Sequence, residues 1–198
     1  MGLRWQIFRT IRLLGVVILG SSLAWSACIF AAVQDSAFDL KGNSVDPFKS
    51  AGGKIVVLVF VRTDCPISNR YAPTIQKLSN EYADKAAFWL VYPSKVESAE
   101  MIRKHEREYG YGIPALRDPQ HVLVKESHAE ITPEVAVFDA RRKLIYHGRI
   151  DNLYEDIGRE RRAATTHELE DAILAALAGK SLAAESAHAV GCYISDLE

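Results

Sequence analysis

The stretch from Ile55 to Pro73 limits the possible folds more than any other part of the chain. Ile55-Val56-Val57-Leu58-Val59-Phe60-Val61 is an unbroken apolar run rich in β-branched residues. Such a run suits a central strand buried on both faces. It stops at Arg62-Thr63-Asp64-Cys65, and a helical pattern follows at once. Ile67, Tyr71, Ile75, Leu78 and Tyr82 recur at spacings of three and four, which places them on one helix face. Pro66 suits the first helical position, where its missing N–H costs nothing. Pro73 lies inside the pattern and is expected to kink it. The corner therefore sets a cysteine at the positive end of a helix dipole, where a thiolate is stabilised and becomes nucleophilic. The competing reading of Cys65 is a buried, inert cysteine.

The other segments read as the frame around that corner. Phe38-Asp39-Leu40 is a short strand, and Lys41-Gly42-Asn43 a turn. Ala87–Tyr92 reads as a second buried strand. Val96–Tyr109 is helical, and its charges, from Glu97 to Glu108, read as a solvated face. Ala115-Leu116 begins a short strand, and Gln120–His128 forms a short helix. Glu134–Phe138 and Lys143–His147 make a hairpin. Asp151–Arg162, dense in charge, reads as a loop. Thr165 and Glu168 have capping-box spacing before a final helix with Leu169, Ile173 and Leu177 on its apolar stripe and Gly179 at its end. The order of strands and helices predicts an α/β fold with a mixed sheet, parallel in its first half and antiparallel in its second.

Composition narrows the function classes. The formal net charge of -1 comes from 24 basic and 25 acidic residues, with no basic stripe, which argues against a nucleic-acid partner. The three cysteines, Cys28, Cys65 and Cys192, are too few for a disulfide scaffold and include no Cys-x-x-Cys pair. At the amino terminus Arg4, Arg9 and Arg12 precede Leu13–Val33, 21 residues without a charge. That is the pattern of a secretory signal or a membrane anchor, and both remain open. Either one sends the rest of the chain into the cell envelope. Ser26-Ala27-Cys28 half matches a lipidation site, with Trp25 where an aliphatic residue is usual. Three regions follow: a leader at 1–35, one globular domain at 36–180, and a tail at 181–198 that carries Cys192.

Ala72 and Pro73 lie seven and eight residues after Cys65, and Thr132-Pro133 precedes the strand Glu134–Phe138. On these residues the chain, from about 36 to 178, resembles the thioredoxin-like superfamily. It is most similar to its exported redoxins, of the AhpC/TSA and TlpA type. The resemblance implies a thioredoxin fold and thiol chemistry at Cys65. It also implies a cis bond before Pro133, beside backbone that pairs with an incoming peptide or thiol. No cofactor is implied. The partners implied are protein thiols or disulfides, or a small thiol or peroxide.

The departures are specific. Ser68 replaces the second cysteine of Cys-x-x-Cys, so no adjacent thiol resolves a mixed disulfide. Thr63 is one residue from where a peroxidase of this superfamily carries its threonine, and Asn69 replaces the second ligand cysteine of a Sco-type copper carrier. The site expected is Cys65, Cys192 and Pro133, supported by Thr63, Ser68 and Thr132. Cys192, 127 residues after Cys65, is the candidate resolving thiol, in the Gly191-Cys192-Tyr193-Ile194 tail. It has two competing readings: a structural disulfide that pins the tail, and a copper or zinc site with His188 and Cys65. A metallochaperone or assembly module and an atypical thiol peroxidase stand as alternative functions. Arg62 and Arg70 would lower the Cys65 pKa, and Asp64 would raise it. His121, His128, His147 and His167 read as surface or hairpin residues. Arg149 and Asp151 read as a structural ion pair.

Overall fold

A computed structural model describes residues 36–180 and 187–195. The leader, with Leu13–Val33 and Cys28, lies outside the described residues, as do 181–186. Among the described residues no helix is long and apolar enough to cross a membrane.

Strands β1 (Ala37–Asp39) and β2 (Ser44–Val45) and the short helix α1 (Pro47–Ser50) lead into β3 (Ile55–Phe60), the apolar run. Then come α2 (Pro66–Glu81), β4 (Ala86–Tyr92), α3 (Ala99–Tyr109), β5 (Ala115–Arg117), α4 (Val122–Ser127) and β6 (Ile131–Thr132). The antiparallel pair β7 (Glu134–Phe138) and β8 (Leu144–Gly148) follows. The order closes with β9 (Tyr154–Asp156), β10 (Arg159–Glu160), α5 (Glu168–Leu177) and β11 (Cys192–Tyr193).

Seven strands form one mixed sheet in the order β2-β1-β5-β4-β3-β7-β8. Strand β3 lies inside it, parallel to β4 and antiparallel to β7. All six residues of β3 are buried, as a run without polar alternation requires. Ile55, Val57 and Val59 face a core shared with Ile75 of α2, Ile102 of α3 and Ile173 of α5. Val56, Leu58 and Phe60 face a second core with Leu123 of α4 and Ile194 of the tail. Helices thus cover both faces of the sheet.

Pro73 lies inside α2, which runs from Pro66 to Glu81. The buried face of the helix, Tyr71, Ala72, Ile75 and Leu78, is fixed against the sheet, and such packing outweighs one lost hydrogen bond. Three expectations are corrected. No capping box opens α5: its N-cap is His167, without a side-chain cap. Glu168 instead takes Arg149 and the Thr166 hydroxyl, because a guanidinium is a stronger partner than a backbone N–H. Arg149 and Asp151 are accordingly not a pair; Asp151 accepts from the Tyr71 hydroxyl at 2.5 Å. The charged segment after Asp151 is not all loop, since β9 and β10 form a small hairpin around Ile157-Gly158.

Candidate active site

Cys65 is the N-cap of α2, with extended backbone (φ -89°, ψ 110°), and its side chain is fully buried. The corner before it is held from both sides of one residue. The Thr63 N–H donates to Glu97 Oε1 at 2.6 Å, and the Thr63 carbonyl accepts from Asn69 Nδ2 at 3.3 Å. Asn69 Oδ1 meets His105 Nε2 at 2.7 Å, and His105 Nδ1 meets the Tyr92 hydroxyl at 2.9 Å. Burial lowers the pKa of His105 and keeps the ring neutral. The chain of bonds fixes its tautomer: Nε2–H donates to the asparagine carbonyl, and Nδ1 accepts from the tyrosine.

The Thr132–Pro133 peptide is cis, as the motif implied. Thr132 is buried and faces the corner: the Cys65 thiol donates to its carbonyl oxygen at 3.1 Å. The tail returns to the same residue. Strand β11 pairs antiparallel with β6, with Cys192 opposite Thr132, and the Thr132 hydroxyl donates to the Cys192 carbonyl at 3.2 Å. Ile194 N–H to the Glu130 carbonyl (2.8 Å) and Arg149 N–H to the Ala187 carbonyl (3.0 Å) fasten the two ends of this strap. Gly191 is required by close approach: a Cβ there would lie 2.1 Å from the Thr132 carbonyl oxygen. The edge at Pro133 is thus already paired by the chain's own carboxyl-terminal segment.

Cys65 and Cys192 are both free thiols, and each acts on the acidity of the other. Their acidities diverge. Burial pushes Cys65 up, but the Ser68 hydroxyl and N–H, and after them the Cys192 thiol and N–H, favour its charged form and bring it below its ordinary value. The Ser68 hydroxyl is buried and has no partner beside the neutral thiol; it becomes a donor as charge develops on sulfur. Ser68 N–H, at the third helical position, is where an N-cap acceptor usually finds its donor. Cys192 is pushed up to about 11, by burial first and then by the hydrogen bond to, and the charge of, Cys65. The pair therefore has one acidic and one proton-holding member. After burial, the effects on Cys65 come from Ser68 and Cys192 rather than from the arginines expected; Arg62 is bound to Asp64 at 2.9 Å.

Of the expected residues, Cys65, Ser68, Thr132, Pro133 and Cys192 meet around one point, and Thr63 contributes its backbone. Three contributors were hidden in the sequence. Glu97, counted among the solvated charges, is 3% exposed and holds Thr63. His105 is buried beside it. Glu134, a carboxylate opening an otherwise apolar strand, accepts from the Glu130 and Ile131 N–H groups at 2.9 and 3.1 Å and so shapes β6. That isolated charge in an apolar run was its signal. His121 is also not a surface residue: it is buried, its Nε2 3.0 Å from the Pro93 carbonyl.

A family model described as the AhpC/TSA family matches residues 31–147. Among solved structures, a hypothetical protein from Sinorhizobium meliloti 1021 is similar at 24% identity and TM-score 0.67, over 81% of this chain and 91% of that one. An uncharacterized conserved protein from Geobacillus kaustophilus gives 24% and 0.68 over 81% and 89%. A secreted Mycobacterium tuberculosis disulfide oxidoreductase, homologous to Escherichia coli DsbE, gives 19% and 0.52 over 71% and 94%. No curated protein matches. At these identities the likenesses show the fold alone, and it is thioredoxin-like.

Proposed function

The chain belongs to the AhpC/TSA family, and from that premise we propose that it is an exported thiol-disulfide oxidoreductase whose redox couple is Cys65 and Cys192. The observation that carries this reading is their meeting at Thr132: the Cys65 sulfur bonds its carbonyl, and Cys192 is the residue opposite it in the β6–β11 ladder. Disulfide exchange requires an ionised sulfur, a second sulfur within reach and a defined approach. Hydrogen bonds at the head of α2 favour a thiolate at Cys65. The strap supplies the second sulfur that Ser68 cannot. Pro133 and Thr132 hold the edge along which the two are aligned. The couple then cycles between dithiol and disulfide, exchanging two electrons with a partner thiol or disulfide. Export rests on the basic, apolar leader read from the sequence.

The test is direct. The protein with Cys28→Ser is oxidised with a disulfide and digested without reduction, and its peptides are mapped. A Cys65–Cys192 linkage that returns to two thiols on reduction is the expected result. Failure to form it would reject the couple. In an insulin-reduction assay, Cys65→Ser and Cys192→Ser should each lose most of the activity.

A further inference from the structure

Given that couple, we propose that partners exchange with it through Cys192 rather than Cys65, and that the groove beside Cys192 takes a cysteine flanked by apolar residues on a protein segment. Three observations carry this. Cys65 is fully buried, whereas Cys192 is partly exposed. The β6 edge beside Pro133, where an extended partner would add a strand, is filled by β11. And the sulfur-bearing residue that lines a groove of about 440 Å³ is Cys192.

The groove indicates its occupant. Pro66, Ile67, Tyr154 and Ile157 line it together with Glu160 and Cys192. A cysteine in its lining fixes the reacting group as a thiol or disulfide. Ile157, at the tip of the β9–β10 hairpin, is 72% exposed, an apolar side chain held out into solvent beside the reactive sulfur. The charged residue of the lining is Glu160, and no basic side chain is among the described residues that line it. Such a wall offers nothing to hold the carboxylates of a small anionic thiol, but it suits apolar neighbours of a protein cysteine.

The chemistry follows without further reagents. In the oxidised protein a partner thiolate attacks Cys192 Sγ. A bond forms between the partner sulfur and Cys192, the Cys65–Cys192 bond breaks, and Cys65 leaves as a thiolate. A second partner thiolate then attacks the partner's own bound sulfur, and Cys192 leaves and takes a proton. The partner dithiol is oxidised by two electrons, and the couple is reduced. Run in reverse, Cys192 meets the partner disulfide and Cys65 resolves it. The acidities agree with this order, since the sulfur released first is the more acidic one, and lower-pKa thiols leave faster.

The test uses the full chain with Cys28→Ser, adding Cys65→Ser or Cys192→Ser. The probe is a peptide with one cysteine between Phe and Leu, activated as its thionitrobenzoate disulfide. Release of thionitrobenzoate measures capture. Expected is capture at least about tenfold faster by the Cys65→Ser protein, which keeps Cys192, than by the Cys192→Ser protein. Equal or faster capture by the latter overturns the assignment, while the peptide map of the oxidised protein decides separately whether the couple exists. Ile157→Ser, at an exposed hairpin tip, should slow peptide capture by about tenfold through lost apolar contact and, since it adds no charge, leave the glutathione-thionitrobenzoate probe within about twofold. Equal slowing of both probes, or a faster reaction with glutathione than with the peptide, overturns the protein-segment reading.

Discussion

The carbonyl oxygen of Thr132 accepts the Cys65 thiol proton at 3.1 Å. The hydroxyl of the same threonine donates to the Cys192 carbonyl at 3.2 Å, so one buried residue holds the Cys65 sulfur and the backbone of Cys192. Thr132→Val keeps the shape and the backbone carbonyl and removes only the hydroxyl. It should cost about 0.5–1.5 kcal/mol in denaturant unfolding. Disulfide formation between Cys65 and Cys192 should slow in the same protein, followed by timed alkylation and mass measurement.

Ser68→Ala should raise the Cys65 pKa. Burial already acts in that direction, and the hydroxyl is the foremost of the hydrogen bonds that oppose it. The measurement is a titration of thiolate ultraviolet absorbance with Cys28 and Cys192 both replaced by Ser, so that one thiol titrates. A lowered folded-state pKa stabilises the fold above the unfolded value, and that gain is lost as pH falls through the folded value. The variant should therefore gain less stability on passing to alkaline pH. An unchanged titration curve would remove Ser68 from the site.

Gly191→Ala should detach the strap. Its Cβ would meet the Thr132 carbonyl oxygen at 2.1 Å, and neither backbone yields cheaply. Overpacking of this kind costs about 1–3 kcal/mol. Because β11 pairs with β6 alone, the loss should appear mainly as faster amide exchange in residues 187–195 and as a Cys65 newly open to alkylation. A Cys65 that stays protected would mean that the strap does not cover it.

Glu97→Gln keeps an oxygen for the Thr63 N–H and removes the charge. Burial raises the Glu97 pKa above its ordinary 4.5, against the hydrogen bonds from Thr63. The fold thus binds the proton more tightly than the unfolded chain does. The stability that this lends is present below the unfolded value and is lost as pH rises through the folded one. The stability of the variant relative to the natural protein should therefore increase from about pH 4 upward, as measured by denaturant unfolding across a pH series. A flat difference would show that Glu97 titrates alike in both states.

Much of the site was legible because its signals are local. Six β-branched and apolar residues in a row declare β3, a proline after Cys65 declares the head of α2, and Thr132-Pro133 announces its own bend. What stayed hidden depends on residues far apart. Strands β6 and β11 have two residues each, too few to show a period, and exist because they pair across 60 positions of chain. Glu97 looks like its charged neighbours until the fold places it under Thr63. Asp151 has Arg149 two residues away in the sequence but is bonded to Tyr71, 80 positions distant. The capping-box spacing at Thr165 and Glu168 was real, yet Arg149 and Asn152 competed for those residues and won.

Burying Cys65 separates two properties that usually occur together, thiolate character and exposure. Progress up the oxidation ladder, from sulfenic to sulfinic and sulfonic acid, depends on both. Cys65 is moved toward the first, with a pKa brought below its ordinary value, and lacks the second. Cys192 is reachable but holds its proton, at a pKa of about 11. In the proposed couple the strap would therefore guard Cys65 against irreversible oxidation, which needs both properties at one sulfur.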